Sequence, residues 1–154
     1  MTIQWQWRRF AELSSVQLYT IFAARQAVFV VEQNSPYLDL DGKDLDAEHL
    51  IAWSGDEVAA YLRLLAPGMS YQEPSLGRII TTKIGRGTGL GRELVARGLQ
   101  RIYELYPTLP VRIGAQAHLQ KFYGSFGFVQ SSEPYDEDGI MHIEMLRPAG
   151  PPSP

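Results

Sequence analysis

Cysteine is absent from this 154-residue chain, which excludes disulfides, thiolate nucleophiles and cysteine-ligated metals. The absence also fits a reducing compartment. No apolar run approaches the ~20 residues of a membrane span. The first ten residues, Met1 to Phe10, carry charge and tryptophan where a signal peptide needs a long apolar stretch. A cytoplasmic protein that does not enter a membrane is the expectation. Charge of one sign is also lacking: the formal net charge is −3, with Lys and Arg scattered rather than clustered, which argues against nucleic acid as the main partner. His49, His118 and His142 are far apart and lack paired-ligand spacing, so no metal is expected. No serine sits in a Gly-x-Ser-x-Gly elbow, and no Ser–His–Asp set is suggested.

What is present suits one globular domain. Hydrophobic residues make up 45% and charged residues 20% of a chain long enough to bury a core without a metal or disulfide. Ile3, Trp5 and Trp7 alternate with polar neighbours and predict a first strand. Ser14 or Ser15 predicts the cap of a helix running through Val30, with Leu18, Ile21, Phe22 and Phe29 at helical spacing. Glu32 to Glu48, with Pro36, Gly42 and its aspartates, reads as a long ordered loop of the kind that is often functional. Leu50–Trp53 and Val58–Leu65 predict a hairpin turning at Gly55-Asp56. A loop over Pro67–Pro74 and a strand over Leu76–Thr82 follow. Leu90–Leu105 predicts an amphipathic helix, Val111–Ala115 a buried strand, and His118–Ser125 a short helix. Phe128–Gln130 and His142–Leu146 predict closing strands joined by the acidic turn Asp136–Gly139. The tail from Pro148 to Pro154 is disordered by composition. The order is mixed α/β, with strand, glycine cluster and helix in succession.

That cluster, Arg86-Gly87-Thr88-Gly89-Leu90-Gly91, is the most informative segment. Its glycines let backbone approach a ligand closely, and the amides and dipole of the following helix suit a phosphate. A P-loop would end in Gly-Lys-Ser or Gly-Lys-Thr, but Gly91 is followed by Arg92 and Glu93. A dinucleotide fingerprint from Gly87 would need glycine where Arg92 stands, and would lie earlier in the chain. The pattern that fits is Arg-x-x-Gly-x-Gly. Asp39-Leu40-Asp41-Gly42-Lys43-Asp44 departs from a calcium loop, because glycine comes fourth rather than sixth.

Downstream, Tyr123-Gly124-Ser125-Phe126-Gly127-Phe128 forms a Tyr-x-x-x-Gly-Phe motif. With Arg86 to Gly91 in that order and rough spacing, the chain resembles the GNAT superfamily of N-acetyltransferases. Val28-Phe29-Val30-Val31-Glu32-Gln33, Pro36-Tyr37, Asp39, Asp41-Gly42, Asp44, Gly77-Arg78 and Gly114 to Gln120 resemble its ElaA-like branch in particular. The resemblance implies an α/β (α+β) domain over residues 1–147, with a mixed, mostly antiparallel sheet of about six to seven strands and flanking helices. It implies two strands, Leu76–Thr82 and Val111–Ala115, splayed apart to admit acetyl-CoA. The pantetheine arm would pair with backbone around Ile79, Ile80 and Thr81. The pyrophosphate would rest on Gly87, Thr88, Gly89, Leu90 and Gly91 beside Arg86 and Arg92, and Gln116 would bond the pantetheine amides. Tyr123 would protonate the leaving thiolate.

An acceptor resembling lysine, with pKa ~10.4, also needs a base near neutral pH. Glu32, Asp41 and His118 are the candidates; Glu32 lies seven residues after Arg25, which can place both on one helical face. Arg25, Arg63 and Arg78 suit a carboxylate, whereas Glu32 and Asp41 suit an ammonium. The expected partner is therefore a small-molecule, amino-acid or peptide amine, bound by a monomer or homodimer. Acyl-homoserine-lactone synthesis and non-catalytic CoA binding are the alternative functions.

Overall fold

The computed structural model describes residues 2–152, so the last two residues of the tail lie outside it. The elements are β1 (Gln4–Arg9), α1 (Ser15–Gln26), β2 (Glu48–Ser54), β3 (Glu57–Leu65), β4 (Ser75–Thr81), α2 (Leu90–Leu105), β5 (Val111–Gln116), α3 (Gln120–Gly124), β6 (Val129–Gln130), β7 (Tyr135–Glu137) and β8 (Ile140–Arg147). Ser14 caps α1 in a reciprocal pair: its hydroxyl accepts from the Gln17 amide at 3.1 Å, and the Gln17 side chain accepts from the Ser14 amide at 2.9 Å. The helical path then widens into a π-turn over Ala27–Glu32. Such π-turns concentrate at functional sites. The segment expected as loop from Glu32 to Glu48 contains one short 3₁₀ turn, Lys43–Asp46.

Strands β1-β2-β3-β4 form one antiparallel sheet; β5-β8-β6 form a second, with β7 also paired to β8. The mixed class and antiparallel pairing match the expectation. Among the described residues the strands number eight and divide into two sheets. The additional strand is β7, three residues long and too short to show periodicity. The acidic segment is accordingly not a free turn: Tyr135–Glu137 pairs with β8, and only Asp138-Gly139 turns the chain.

Alternation in β2 and β3 sorts side chains onto two buried faces. Ile51, Trp53 and Tyr61 join Ile21 of α1 on one face. Leu50, Ala52, Ala60 and Leu62 meet Leu94, Val95 and Leu99 of α2 on the other. Covering both faces explains why these strands read as nearly continuous apolar runs. Gly98 sets how close α2 can come, since a Cβ there would lie 2.9 Å from methyls of Leu62 and Leu76. At the end of β8, the Arg147 guanidinium donates to the carbonyls of Phe126, Gly150 and Pro151, holding the start of the tail.

Candidate active site

Among the described residues, one backbone hydrogen bond links the two sheets, from the Arg112 amide to the Pro74 carbonyl at 3.2 Å. Both β4 and β5 begin at this contact, and no ladder joins them beyond it. Each therefore presents an open edge of unpaired amides and carbonyls to the space between them. That space is a cleft of about 380 Å³. A bulge shapes the β4 side: Tyr61 faces Ile80 and Arg63 faces Gly77, so β4 uses one residue more than β3. The extra residue is absorbed at Arg78, whose φ of +49° is rare outside glycine. Ile79 lines the cleft, Ile80 is buried against α1, and Thr81 is half-buried.

Beyond β4 the chain turns tightly against β3, where a Cβ on Gly85 would lie 2.3 Å from the Ala59 carbonyl oxygen. The glycine loop follows. Gly87 and Gly89 have φ of +75° and +78°, and a side chain at either would project into open space. The first helical bond of α2 runs from the Glu93 amide to the Gly89 carbonyl, leaving the Leu90, Gly91 and Arg92 amides free at the helix start. Thr88 braces the loop through a 2.7 Å bond to the Gly85 carbonyl, and Leu90 anchors it in the core. Arg86 donates to the Thr81 carbonyl and to Glu32. Arg92 lies 4.7 Å above the Phe126 ring and donates to Ser125. Bare glycines, free amides and two cations make a cradle that fits the diphosphate of a coenzyme A thioester.

Tyr123 enters the cleft from α3. Its ring packs edge-on against Phe122 and Phe128. Its hydroxyl makes no hydrogen bond among the described residues, and burial pushes its pKa up to about 12. The phenol thus keeps its proton throughout the physiological range. Gln116 reaches across the cleft, donating to Gln33 at 3.1 Å.

Three arginines and three aspartates form an ion-pair cluster at one wall of the cleft. Arg25, fully buried, binds Asp39 at 2.8 Å and Asp44 at 2.6 Å. Arg63 holds Asp41 and Asp44, and Arg78 donates to the Asp39 carbonyl. Arg78 Nε lies 2.9 Å from Asp39 Oδ1 but out of line, so neither atom has a directed partner.

These placements separate the expected acceptor residues. Asp41, Arg63 and Arg78 line the cleft, whereas Arg25 is enclosed behind them and has no route to a ligand. Glu32 does not share a contact with Arg25; it lies beside the glycine loop, 2.7 Å from Arg86 and off the cleft lining. His118 is exposed on the 3₁₀ turn Ala117–Leu119, also off the lining and without a hydrogen bond. Asp41 is placed in the cleft but is poorly disposed to take a proton. Burial raises its pKa, but hydrogen bonds from Arg63 and the Lys43 amide, with the charges of Arg63 and Arg78, outweigh this and hold the carboxyl well below the usual range.

Other groups fill this end of the cleft. The hydroxyls of Tyr71 and Tyr135 converge on Gly114 of β5, where a Cβ would lie 2.8 and 3.2 Å from them. Burial pushes Tyr71 up to about 12. His142 faces Gln116 across the β5–β8 ladder. Its Nδ1 lies 2.8 Å from the Ile140 carbonyl, its Nε2 3.3 Å from Glu137, and its ring stacks on Tyr135. The only signal of this group in the sequence was alternation along β8, since the contacts depend on β7.

The sequence profile described as acetyltransferase (GNAT) domain matches residues 18–147. Protein ElaA of Escherichia coli is 46% identical over 147 residues, covering 94% of this chain and 96% of its own. A UPF0039 protein of Synechocystis is also 46% identical, covering 95% and 96%. The crystal structure of an acyl-CoA N-acyltransferase from Pseudomonas aeruginosa superposes with a TM-score of 0.89 at 43% identity, over 95% of this chain and 99% of that one. A CoA-dependent acyl-homoserine lactone synthase shares the fold alone, at 17% identity.

Proposed function

Because the chain belongs to the GNAT acetyltransferase family, we propose that it transfers an acetyl group from acetyl-CoA to a primary amine of a small molecule, amino acid or peptide, by direct attack in a ternary complex. The observation that carries this reading is the pair of open strand edges, β4 and β5, set between the glycine loop and the unpaired hydroxyl of Tyr123. The thioester supplies the activated acyl carbon. Amides of Gly87 to Gly91, with Arg86 and Arg92, bind the diphosphate. Backbone at Ile79, Ile80 and Thr81 pairs with the pantetheine arm, and an amide there stabilises the developing oxyanion, an effect that can reach ~3 kcal/mol. Gln116 bonds the pantetheine amides.

Tyr123 donates to the leaving sulfur. Its proton is held more tightly than that of a free thiol, pKa ~8.5, so transfer accompanies C–S cleavage rather than preceding it. Asp41 attracts the acceptor ammonium, while Arg63 and Arg78 favour an acceptor that also carries a carboxylate. Calorimetric titration of acetyl-CoA into wild type and Gly89→Glu tests the cofactor assignment. Micromolar binding that the substitution abolishes is expected; a folded wild type that fails to bind would refute the assignment.

A further inference from the structure

We infer that His142 is the group that takes the proton from the acceptor ammonium, with Glu137 stabilising the imidazolium that results. This rests on the acyltransferase reading and adds to it the base that Glu32, Asp41 and His118 do not supply. The geometry is specific. The Ile140 carbonyl, 2.8 Å from Nδ1, accepts a hydrogen bond and so fixes the proton on that nitrogen. In the neutral ring the lone pair is then on Nε2. His142 is 9% exposed, and its access is through the cleft, which it and Glu137 both line. The Glu137 carboxylate lies 3.3 Å from Nε2 and is itself more than half exposed, so it can swing aside for an incoming cation. Stacking on Tyr135 holds the ring plane.

An ammonium entering between Glu137 and His142 meets a carboxylate that attracts it and a lone pair that accepts its proton. The first ammonium proton moves to Nε2. The freed nitrogen lone pair forms the C–N bond, and the C–S bond breaks with its electrons going to sulfur. Sulfur takes the Tyr123 proton, and the second nitrogen proton restores the Tyr123 hydroxyl. His142 returns its proton to water, so ammonium and thioester give amide, thiol and one proton. Tyr135 of β7 stacks on the ring and Glu144 stands two residues along β8; the other ionisable groups lining the same cleft are Asp138 of the turn, Tyr37, Asp41, Lys43, Arg63, Tyr71, Arg78 and Tyr123. Across the ladder, β5 presents the neutral Gln116.

The test uses two nucleophiles. L-lysine is neutral at its side chain in only about one molecule per thousand near neutral pH, so it needs a base; hydroxylamine is already neutral there. In His142→Gln, kcat/KM for lysine should fall ~100-fold, with a far smaller loss on hydroxylamine and an unchanged acetyl-CoA affinity. The lysine rate of the variant should then climb about tenfold per pH unit towards the amine's own ~10.4, more steeply than that of the wild type. Glu137→Gln, at an exposed position, should show a weaker lysine-selective loss. Equal losses on both nucleophiles, or none, would overturn the inference. So would a wild type that binds acetyl-CoA and acetylates hydroxylamine but neither lysine nor putrescine, because a working proton acceptor makes ammonium acceptors usable. A wild type that does not bind acetyl-CoA would overturn the parent reading and this one with it.

Discussion

Replacing Arg25 with methionine tests whether the acceptor wall is built as an ion network. The guanidinium is fully buried between Asp39 and Asp44, so its loss strands carboxylates with no water to compensate them. Breaking a buried pair by removing one partner costs about 3–5 kcal/mol. Here the lower end applies, because Asp44 keeps Arg63 at 3.1 Å and Asp39 keeps Arg78 at 2.9 Å. A loss of about 3 kcal/mol is a large share of the 5–15 kcal/mol typical of a domain, and for this length lowers Tm by roughly 6–12 °C. The deficit should depend on pH. The wild-type Asp44 carboxyl lies below its ordinary value: burial raises it, and the bonds and charges of Arg25 and Arg63 outweigh that. A depressed carboxylate contributes stability that is complete above its unfolded pKa of ~4 and lost as pH falls through the folded value. In Arg25→Met the Asp44 carboxyl loses the partner that lowers it most, so its pKa rises and the variant gains relative to wild type as pH drops from neutral towards ~4.5. Urea denaturation of both proteins at the two pH values measures this. A deficit below about 1 kcal/mol at neutral pH, or one that does not shrink in acid, would refute the reasoning.

Tyr123→Phe should lower kcat by ~10²–10⁴-fold, the range for one acid–base group, and leave acetyl-CoA affinity unchanged in calorimetry. Gly98→Ala gains up to ~1 kcal/mol of helix propensity but drives a methyl into Leu62 and Leu76, at a cost of about 1–3 kcal/mol; a net fall in the urea midpoint is expected, and a rise would mean α2 can back away freely. Gly114→Ala pushes a methyl to within 2.8 Å of the Tyr71 hydroxyl, so KM for the acceptor should rise while acetyl-CoA affinity holds. Adding Tyr71→Phe should recover much of that loss; no recovery would place the damage in the β5 backbone.

What the sequence made legible is what depends on neighbours along the chain. Ser14 is one of the two serines that signal a helix cap, and it is the one that caps α1. Alternation places β2 and β3, and the glycines of 87–91 open a helix with free amides. The two motifs of the cofactor half of the cleft each lie within one short stretch of chain. The acceptor half is different. Asp39, Asp41 and Asp44 read as a polar, turn-rich loop, yet that loop folds inward around Arg25 and Arg63, residues 14 to 22 positions away. Seven residues separate Arg25 from Glu32, but the π-turn between them breaks α-helical phase, so one is sealed in the interior and the other faces Arg86. Arg78 sits in a β-pattern yet carries the bulge, a backbone state that only the register with β3 imposes.

His142 shows the limit most clearly. The Ile140 carbonyl that meets its Nδ1 is two residues back on the same strand, but Glu137 comes within 3.3 Å and Tyr135 stacks on the ring only because β7 folds back. On the proposed reading, cofactor recognition is therefore written locally, by backbone amides at one loop, one strand edge and one helix start. On the same reading, acceptor chemistry is assembled from side chains on four separated segments. If that reading holds, substitutions in the loop over 33–46 or in the β7–β8 hairpin change the acceptor while the glycine loop, and with it the proposed acetyl-CoA binding, stays as it is.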